Sequence, residues 1–491
     1  PCRAVVLRRR RTCGVTTARR SARSTILYRF SSGSGTTPTI KLKRPLRTAV
    51  AILALLAVGS GCASVRRARE AQRADPVPAG QRTLTATEIG LNSNSVLTVE
   101  EALRIALAYR PAVAQASQAV AVAAAQLRQA RAGYAPTLTA SASYSRSTSN
   151  TKESPHSNTS GDSYRAGAEL DLLIYDFGKT PAAVRQAIER KVAAESGLRA
   201  AQNDVAYNVR AAFFALGQAQ ELLQVAAEAV RQYEAHLEQV KAFAEMGRLT
   251  RYAITKSEVD LGNARLNLIE TRADLTSARA GLNRALGLAE EPGYQIRSAP
   301  FEEYAGQADE LMAVARQGHP DMATLKAQER IASSAVDAAI ADLYPALGLS
   351  AGYDGSGAGF PLIWNWSAGL QTVLQVFSGF SKTAAIDEAA AQLRIARSRV
   401  ADREQQIHLD LNTALSRRDS ARQRIDLTAL TSRYAAETLD LIHERYRRGK
   451  ASAVEATDAQ VALTRARADE VRARFEYQGA VAQIKHAIGE E

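Results

Sequence analysis

ARAGYAPTLTAS at residues 130–141 and AIADLYPALGLS at 339–350 read as two versions of one phrase. Their prolines, Pro136 and Pro345, lie 209 residues apart, as do Arg110-Pro111 and His319-Pro320. Further on the offset is 202. It relates Tyr175-Asp176-Phe177 to Phe377-Ser378-Gly379, Gly247 to Gly449, and LNRALG (282–287) to IKHAIG (484–489). Ordered anchors on two offsets mark a tandem repeat. The offset falls by seven between Pro136 and Tyr175, so the first copy holds the longer insertion there.

Each copy follows one plan. A helix of moderate length (98–131; about 308–342) ends before the proline. Two alternating segments follow. Leu138, Ala140, Ala142 and Tyr144 alternate with Thr139, Ser141, Ser143 and Ser145; Ala166, Ala168, Leu170, Leu172 and Ile174 alternate with Arg165, Gly167, Glu169 and Asp171. In the second copy Leu347, Leu349, Ala351 and Tyr353 alternate with Gly348, Ser350, Gly352 and Asp354, and Trp364, Trp366, Ala368 and Leu370 with Asn365, Ser367, Gly369 and Gln371. Period two predicts strands, here about 137–147, 164–176, 346–354 and 363–377. An apolar face backed by a polar one suits a membrane barrel strand with lipid outside and water inside; a soluble hairpin with one wet face is the alternative. The connections STSNTKESPHSNTSGDS (147–163) and DGSGAGFP (354–361) read as polar loops. Tyr144, Tyr353, Trp364 and Trp366 would then form an interfacial aromatic girdle.

No proline falls between Pro181 and Pro292, or after Pro361. The runs 182–246 and 380–448, rich in Ala, Gln, Arg and Leu, predict helices about 100 Å long, which need partners lying alongside. Gly247 and Gly449 would be the tips where each helix turns back.

Charge is concentrated in the leader. Residues 1–61 carry 13 Lys/Arg and no Asp or Glu; the remainder holds 50 basic and 50 acidic residues, so the net +13 is no nucleic-acid footprint. KLKRPLR (41–47) and TAVAILALLAV (48–58) form the basic and apolar regions of an export signal. Residues 1–40 read as upstream translation. GSGC (59–62) resembles a bacterial lipobox, with Cys62 as the lipidated residue and Gly59 departing from the usual Leu or Val; ordinary cleavage near Ala63 is the alternative. Cys2 and Cys13 leave with the leader, so no disulfide is expected. The expected division is leader 1–61, lipid-anchored extension 62–96, repeat one 97–287, linker 288–307 and repeat two 308–491.

LTVEEALRIAL (97–107), the RP and HP dipeptides, GYAP and LYPA before each first strand, YDFGK and FSGFSK after each second, and the glycine tips occur in an order that resembles the TolC-type outer-membrane factor family. The resemblance covers nearly all of 85–491. It implies a homotrimer with one closed twelve-stranded β-barrel, four strands per protomer. A long α-helical coiled-coil barrel would continue it across the periplasm, belted by 288–310 and the stretch after Cys62. It implies a passive duct with no enzyme activity and no cofactor. The partners would be outer-membrane lipid, a periplasmic adaptor and, indirectly, an inner-membrane pump of the resistance-nodulation-division type. Small-molecule efflux is the expected task, with type I protein secretion as the alternative. A non-conducting coiled-coil envelope spacer is the reading from another class, and a spacer has no use for four amphipathic strands.

The resemblance also implies a periplasmic aperture at Tyr446, Glu455 and Asp458. The two acids are spaced i, i+3 on one helix face, and a trimer would hold six such carboxylates; solvated surface carboxylates are the alternative. Adaptor contact is implied for Gly247, Leu249 and Thr250 and for Gly449, Ser452 and Val454. Two departures bear on any charged latch: Ala451 stands where relatives can carry an arginine, and Ala253 where they can carry its acid. Arg251, Arg447 and Arg448 are candidate substitutes. The six histidines are scattered without a metal-ligand spacing, and GSGAG (355–359) lacks the context of a phosphate loop.

Overall fold

The computed structural model describes residues 65–66, 68–72, 85, 88, 96–151, 154–247, 249–288, 294–297 and 303–490. Cys62 and the leader lie outside them. The chain divides into two units, 1–74 and 75–491; of the first, the described residues form a short helical stretch.

In the second unit the order is β1 (Val96–Leu97), α1 (Val99–Tyr109), α2 (Pro111–Arg131), β2 (Thr137–Thr151), β3 (Ser154–Tyr175), α3 (Lys179–Glu245) and α4 (Arg251–Leu286). Then follow β4 (Gln295–Ile296), α5 (Ala308–Gly318), α6 (Pro320–Ala341), β5 (Ala346–Gly357), β6 (Ile363–Val373), α7 (Ser381–Arg447) and α8 (Ala453–Ile488). The long helices α3 and α7 have 67 residues each, and the returning α4 and α8 have 36 each.

Three expectations are corrected. The moderate helix of each copy is two helices, broken at Arg110 and His319. The ring of the following proline keeps each residue out of the helical region, with ψ at 126° and 122°, while the proline itself opens the next helix. The stretch 147–163 is mostly strand, with β2 and β3 paired out to Thr151↔Ser154. The sequence of this stretch has no apolar–polar alternation, and backbone pairing does not require one. Finally, β6 ends at Val373, short of 377.

Local chemistry sets the boundaries. Thr98 and Glu101 form a reciprocal capping box at the start of α1. After β3 the chain reverses through Phe177 (φ 54°) and Gly178 (φ 104°), and the Asp176 carboxylate accepts from the Gly178 and Thr180 amides at 3.3 and 2.6 Å. The second copy makes the same turn through Gly379 and Phe380 (φ 63° and 67°). Gly287 and Gly489 end α4 and α8 in the left-handed conformation.

The two copies pack alike. Leu97, Val209, Phe213, Leu216, Leu282 and Leu286 fill one core, joined by Tyr294, whose hydroxyl donates to Asn283 Oδ1 at 2.8 Å. Leu311, Met322, Ile407, Leu411, Ile484 and Ile488 fill its counterpart. Helix α6 lies against both α3 and α7, with Arg185–Asp337 at 2.9 Å and Arg330–Glu189 at 2.7 Å toward α3. Asp342 takes Lys179 from one copy and Lys382 from the other; the Lys179 ammonium holds its carboxyl below the usual range. Where α3 crosses α8, a Cβ on Gly217 would sit 2.7 Å from the Phe475 ring, so the close approach requires glycine. Beside this first core β1 pairs in parallel with β4.

Candidate functional site

The sheet has strand order β2-β3-β5-β6, every pair antiparallel. Residues directly opposite share a face. The register therefore assembles Leu138, Leu170, Ala351 and Ala368 into one row, and Ala140, Ala168, Tyr353 and Trp366 into the next. Leu172, Leu349 and Leu370 form a third. The other face reads Thr139, Glu169, Gly352, Ser367, then Thr137, Asp171, Ser350, Gly369, then Ser141, Gly167, Asp354, Asn365. Four separate alternations thus become one apolar and one polar face. In the single chain the apolar side has nothing over it: Trp366 is 71% and Leu370 68% exposed.

The expected aromatics lie at the hairpin end of this sheet. Tyr353 stacks on Trp364 with ring centroids 5.1 Å apart, and Tyr144 sits 5.0 Å from Tyr164. Tyr164 and Phe360 belong to the same group and were missed: Tyr164 opens an expected strand just outside its alternation, and Phe360 lies in a stretch read as loop. A second aromatic belt was missed altogether. At the helix end of the sheet Phe177 packs on Tyr175 and Tyr344, and Phe377 on Phe380. Its signal stood in the repeated YDFGK and FSGFSK motifs. From Tyr164 to Tyr175, at about 3.3 Å per residue, the two aromatic groups are separated by about 36 Å of strand.

At the far end of the helices are the two tips. Gly247 and Gly449 each have φ 72°, and open space surrounds the point where a Cβ would stand, so glycine is needed there for conformation and not for room. Tyr446 is buried at 4% exposure in a cluster with Val240 and Ala253, flanked by Phe243, Leu249, Ile254, Ala451 and Ala453. Its ring lies 5.6 Å from His236 and 5.7 Å from Phe243, both on α3, so one side chain of the second hairpin seats against the first. Its hydroxyl is buried without a hydrogen-bond partner among the described residues, and burial raises its pKa. Ala253 and Ala451, the two departures from a charged latch, are the small residues that make room for this ring. Arg447 and Arg448 bind Glu444 in the last turn of α7.

Glu455 and Asp458 are both exposed on the first turns of α8. Glu455 closes a capping box: its carboxylate accepts from the Ser452 amide at 3.0 Å while the Ser452 hydroxyl accepts from the Glu455 amide at 3.1 Å. Asp458 makes no hydrogen bond or ion pair among the described residues. Of the expected adaptor contacts, Gly247, Thr250, Gly449, Ser452 and Val454 are exposed, while Leu249 packs toward Tyr446. Met246 and Tyr252, 59% and 72% exposed, extend the apolar surface of the first tip and were not anticipated.

His236 is expected to make the tip contact sensitive to pH. Both ring nitrogens are buried without hydrogen-bond partners among the described residues. Burial pushes its pKa below the usual 6.5, His443 on α7 acts in the same direction, and Asp260 on α4 opposes. A depressed histidine contributes its full stability above pH 6.5 and loses it as the pH falls toward the folded value. Acidification from pH 7.5 to 5 should therefore loosen the α3–α7 contact. In His236→Phe, hydrogen exchange at the tips should change less over this range than in wild type; an equal change would assign the effect to His443 or elsewhere.

The family model described as outer membrane efflux protein matches residues 102–288 and 311–490, well over half of the chain. The chain belongs to the outer membrane efflux protein family. Each match spans one copy of the repeat. Among curated proteins, none matches. Among solved structures, the CmeC outer membrane channel of Campylobacter jejuni is similar with a TM-score of 0.73 at 17% identity, over 85% of this chain and 90% of that one. The outer membrane protein VceC of Vibrio cholerae gives 0.71 at 18%, over 80% and 96%. The open-state MtrE outer membrane channel of Neisseria gonorrhoeae gives 0.69 at 19%, over 80% and 89%. These likenesses establish a TolC-like fold. Among the described residues no helix is long and apolar enough to cross a membrane, and no group of three His, Cys, Asp or Glu could hold a metal ion.

Proposed function

We propose that three copies of this outer membrane efflux protein close into a twelve-stranded barrel and serve as the passive exit duct of a tripartite efflux system for small molecules. The carrying observation is the four-stranded sheet with one apolar face and two unpaired edges, β2 and β6. Within lipid an open edge leaves backbone groups unsatisfied at several kcal/mol each, so the edges must meet. The four strands alternate in direction, so β6 of one copy meets β2 of the next antiparallel and threefold closure leaves no edge. Glu169, Asp171, Asp354 and Asn365 then line a wet lumen.

In this reading Tyr446 seals each protomer's two hairpins by apolar packing in place of a charged latch. Six carboxylates from Glu455 and Asp458 surround the mouth, and the exposed surface of Met246, Tyr252 and Val454 meets the adaptor. Lipid on Cys62 would add an anchor.

Disulfide trapping tests the assembly. Ser141→Cys on β2 is combined in turn with Asn365→Cys, Ser367→Cys and Gly369→Cys on β6, all on the polar face. One of these registers should give a covalent trimer on oxidation in outer membranes. Monomers or open-ended dimers in every register would refute threefold closure.

A further inference from the structure

Helices α1, α3 and α8 enclose a groove of about 860 Å³, within the size range of small-molecule sites. Its apolar wall comes from Leu103 and Leu107 on α1, Phe214 on α3 and Val481 on α8. Arg210 of α3 lies in the same groove and is only 9% exposed. None of its nitrogens forms a hydrogen bond or ion pair with a described residue, and Nη1 is wholly buried. Glu100 and Glu490 act on it by charge alone. A buried guanidinium without partners is costly, and here even its proton is held less tightly than usual because of desolvation. Two further cations line the groove, exposed Arg104 and half-buried Lys485, and neither has an ion-pair partner among the described residues. The lining carries one acid, Glu100, against these three bases.

Apolar walls with an unanswered buried arginine at the base define the chemistry of an occupant. It needs a hydrocarbon portion and a single anionic group. The planar guanidinium fork suits a carboxylate, which accepts two parallel N–H bonds. We propose that this groove binds an amphipathic carboxylate of the medium-chain fatty-acid class, its head on Arg210 and its chain along Leu103, Leu107, Phe214 and Val481. Arg104 and Lys485 draw the anion to the mouth. The site lies apart from both the sheet and the tips.

The test is photo-labelling of the full-length protein in a non-ionic detergent with a diazirine-bearing dodecanoate, followed by peptide mapping. Label is expected on peptides from α1, α3 and α8, displaced by dodecanoate but not by dodecanol. Arg210→Met should lower labelling about tenfold or more, the loss of a charge-assisted bidentate contact. Arg199→Met, an exposed arginine on the same helix outside the groove, should leave it unchanged. If Arg210→Met does not fold, Arg104→Ala/Lys485→Ala at the mouth should reduce labelling several-fold. Absence of label in the groove, equal competition by dodecanol, tighter competition by dodecyl phosphate, or indifference to the arginine variants would overturn the proposal. A neighbouring copy seated over the groove would give the first of these results.

Discussion

Leu170→Arg is expected to abolish the folded assembly, while Glu169→Arg, one residue away, is expected to leave it intact. Leu170 stands in the apolar row between Leu138 and Ala351, and Glu169 in the polar row between Thr139 and Gly352. Side chains alternate strictly along a strand, so neighbours face opposite media. An arginine at mid-bilayer on the lipid face costs about 2–4 kcal/mol per chain, and three copies multiply the cost. The same cation in the lumen meets water and the carboxylates of Asp171 and Asp354. Denaturant unfolding in lipid vesicles, together with the yield of trimer resistant to sodium dodecyl sulfate, measures both variants. Equal tolerance of the two would mean that neither face meets lipid.

Tyr446→Ala is expected to have the second large effect, at the other end of the molecule. The ring fills the junction of Val240, Ala253, Phe243 and Leu249 between the two hairpins. Deleting a buried aromatic side chain costs about 3 kcal/mol or more, because the space left cannot wholly collapse. The tips should separate, seen as faster hydrogen exchange around residues 236–254 and higher conductance. Tyr446→Phe should be nearly neutral, since the hydroxyl it removes has no hydrogen-bond partner among the described residues. Loss of closure in Tyr446→Phe would mean instead that the hydroxyl itself forms the seal.

The contrast between these two sites explains what could be read from the chain. The strands of the apolar face were legible because Leu138, Ala168, Leu349 and Leu370 alternate with polar residues, and lipid on one side imposes that alternation. The strand extension through 147–163 was not, because its run of Ser, Thr and charged residues has no apolar–polar alternation to read. The breaks at Arg110 and His319 stood in the sequence as X-Pro pairs, yet the helical pattern on either side disguised them. At the tips, Gly247 and Gly449 were legible because they recur at the repeat offset within runs free of proline. The burial of Tyr446 was not, since it depends on Val240 and Ala253 arriving from the other copy of the repeat. The capping role of Glu455 was present as Ser452-x-x-Glu455 and was hidden behind its reading as a mouth carboxylate. Arg210 gave no signal at all: an arginine on a long helix reads as solvated until α1 is laid over it.

The most direct measurement is single-channel conductance of the purified processed protein in a planar bilayer. The account predicts unitary, cation-selective openings of low conductance in wild type, larger in Tyr446→Ala. Glu455→Gln/Asp458→Asn, which keeps the cap on α8 and removes the charge, should lose cation preference. A protein that forms trimers and inserts but conducts no ions in either the wild type or Tyr446→Ala would contradict the account and leave a structural spacer of the envelope.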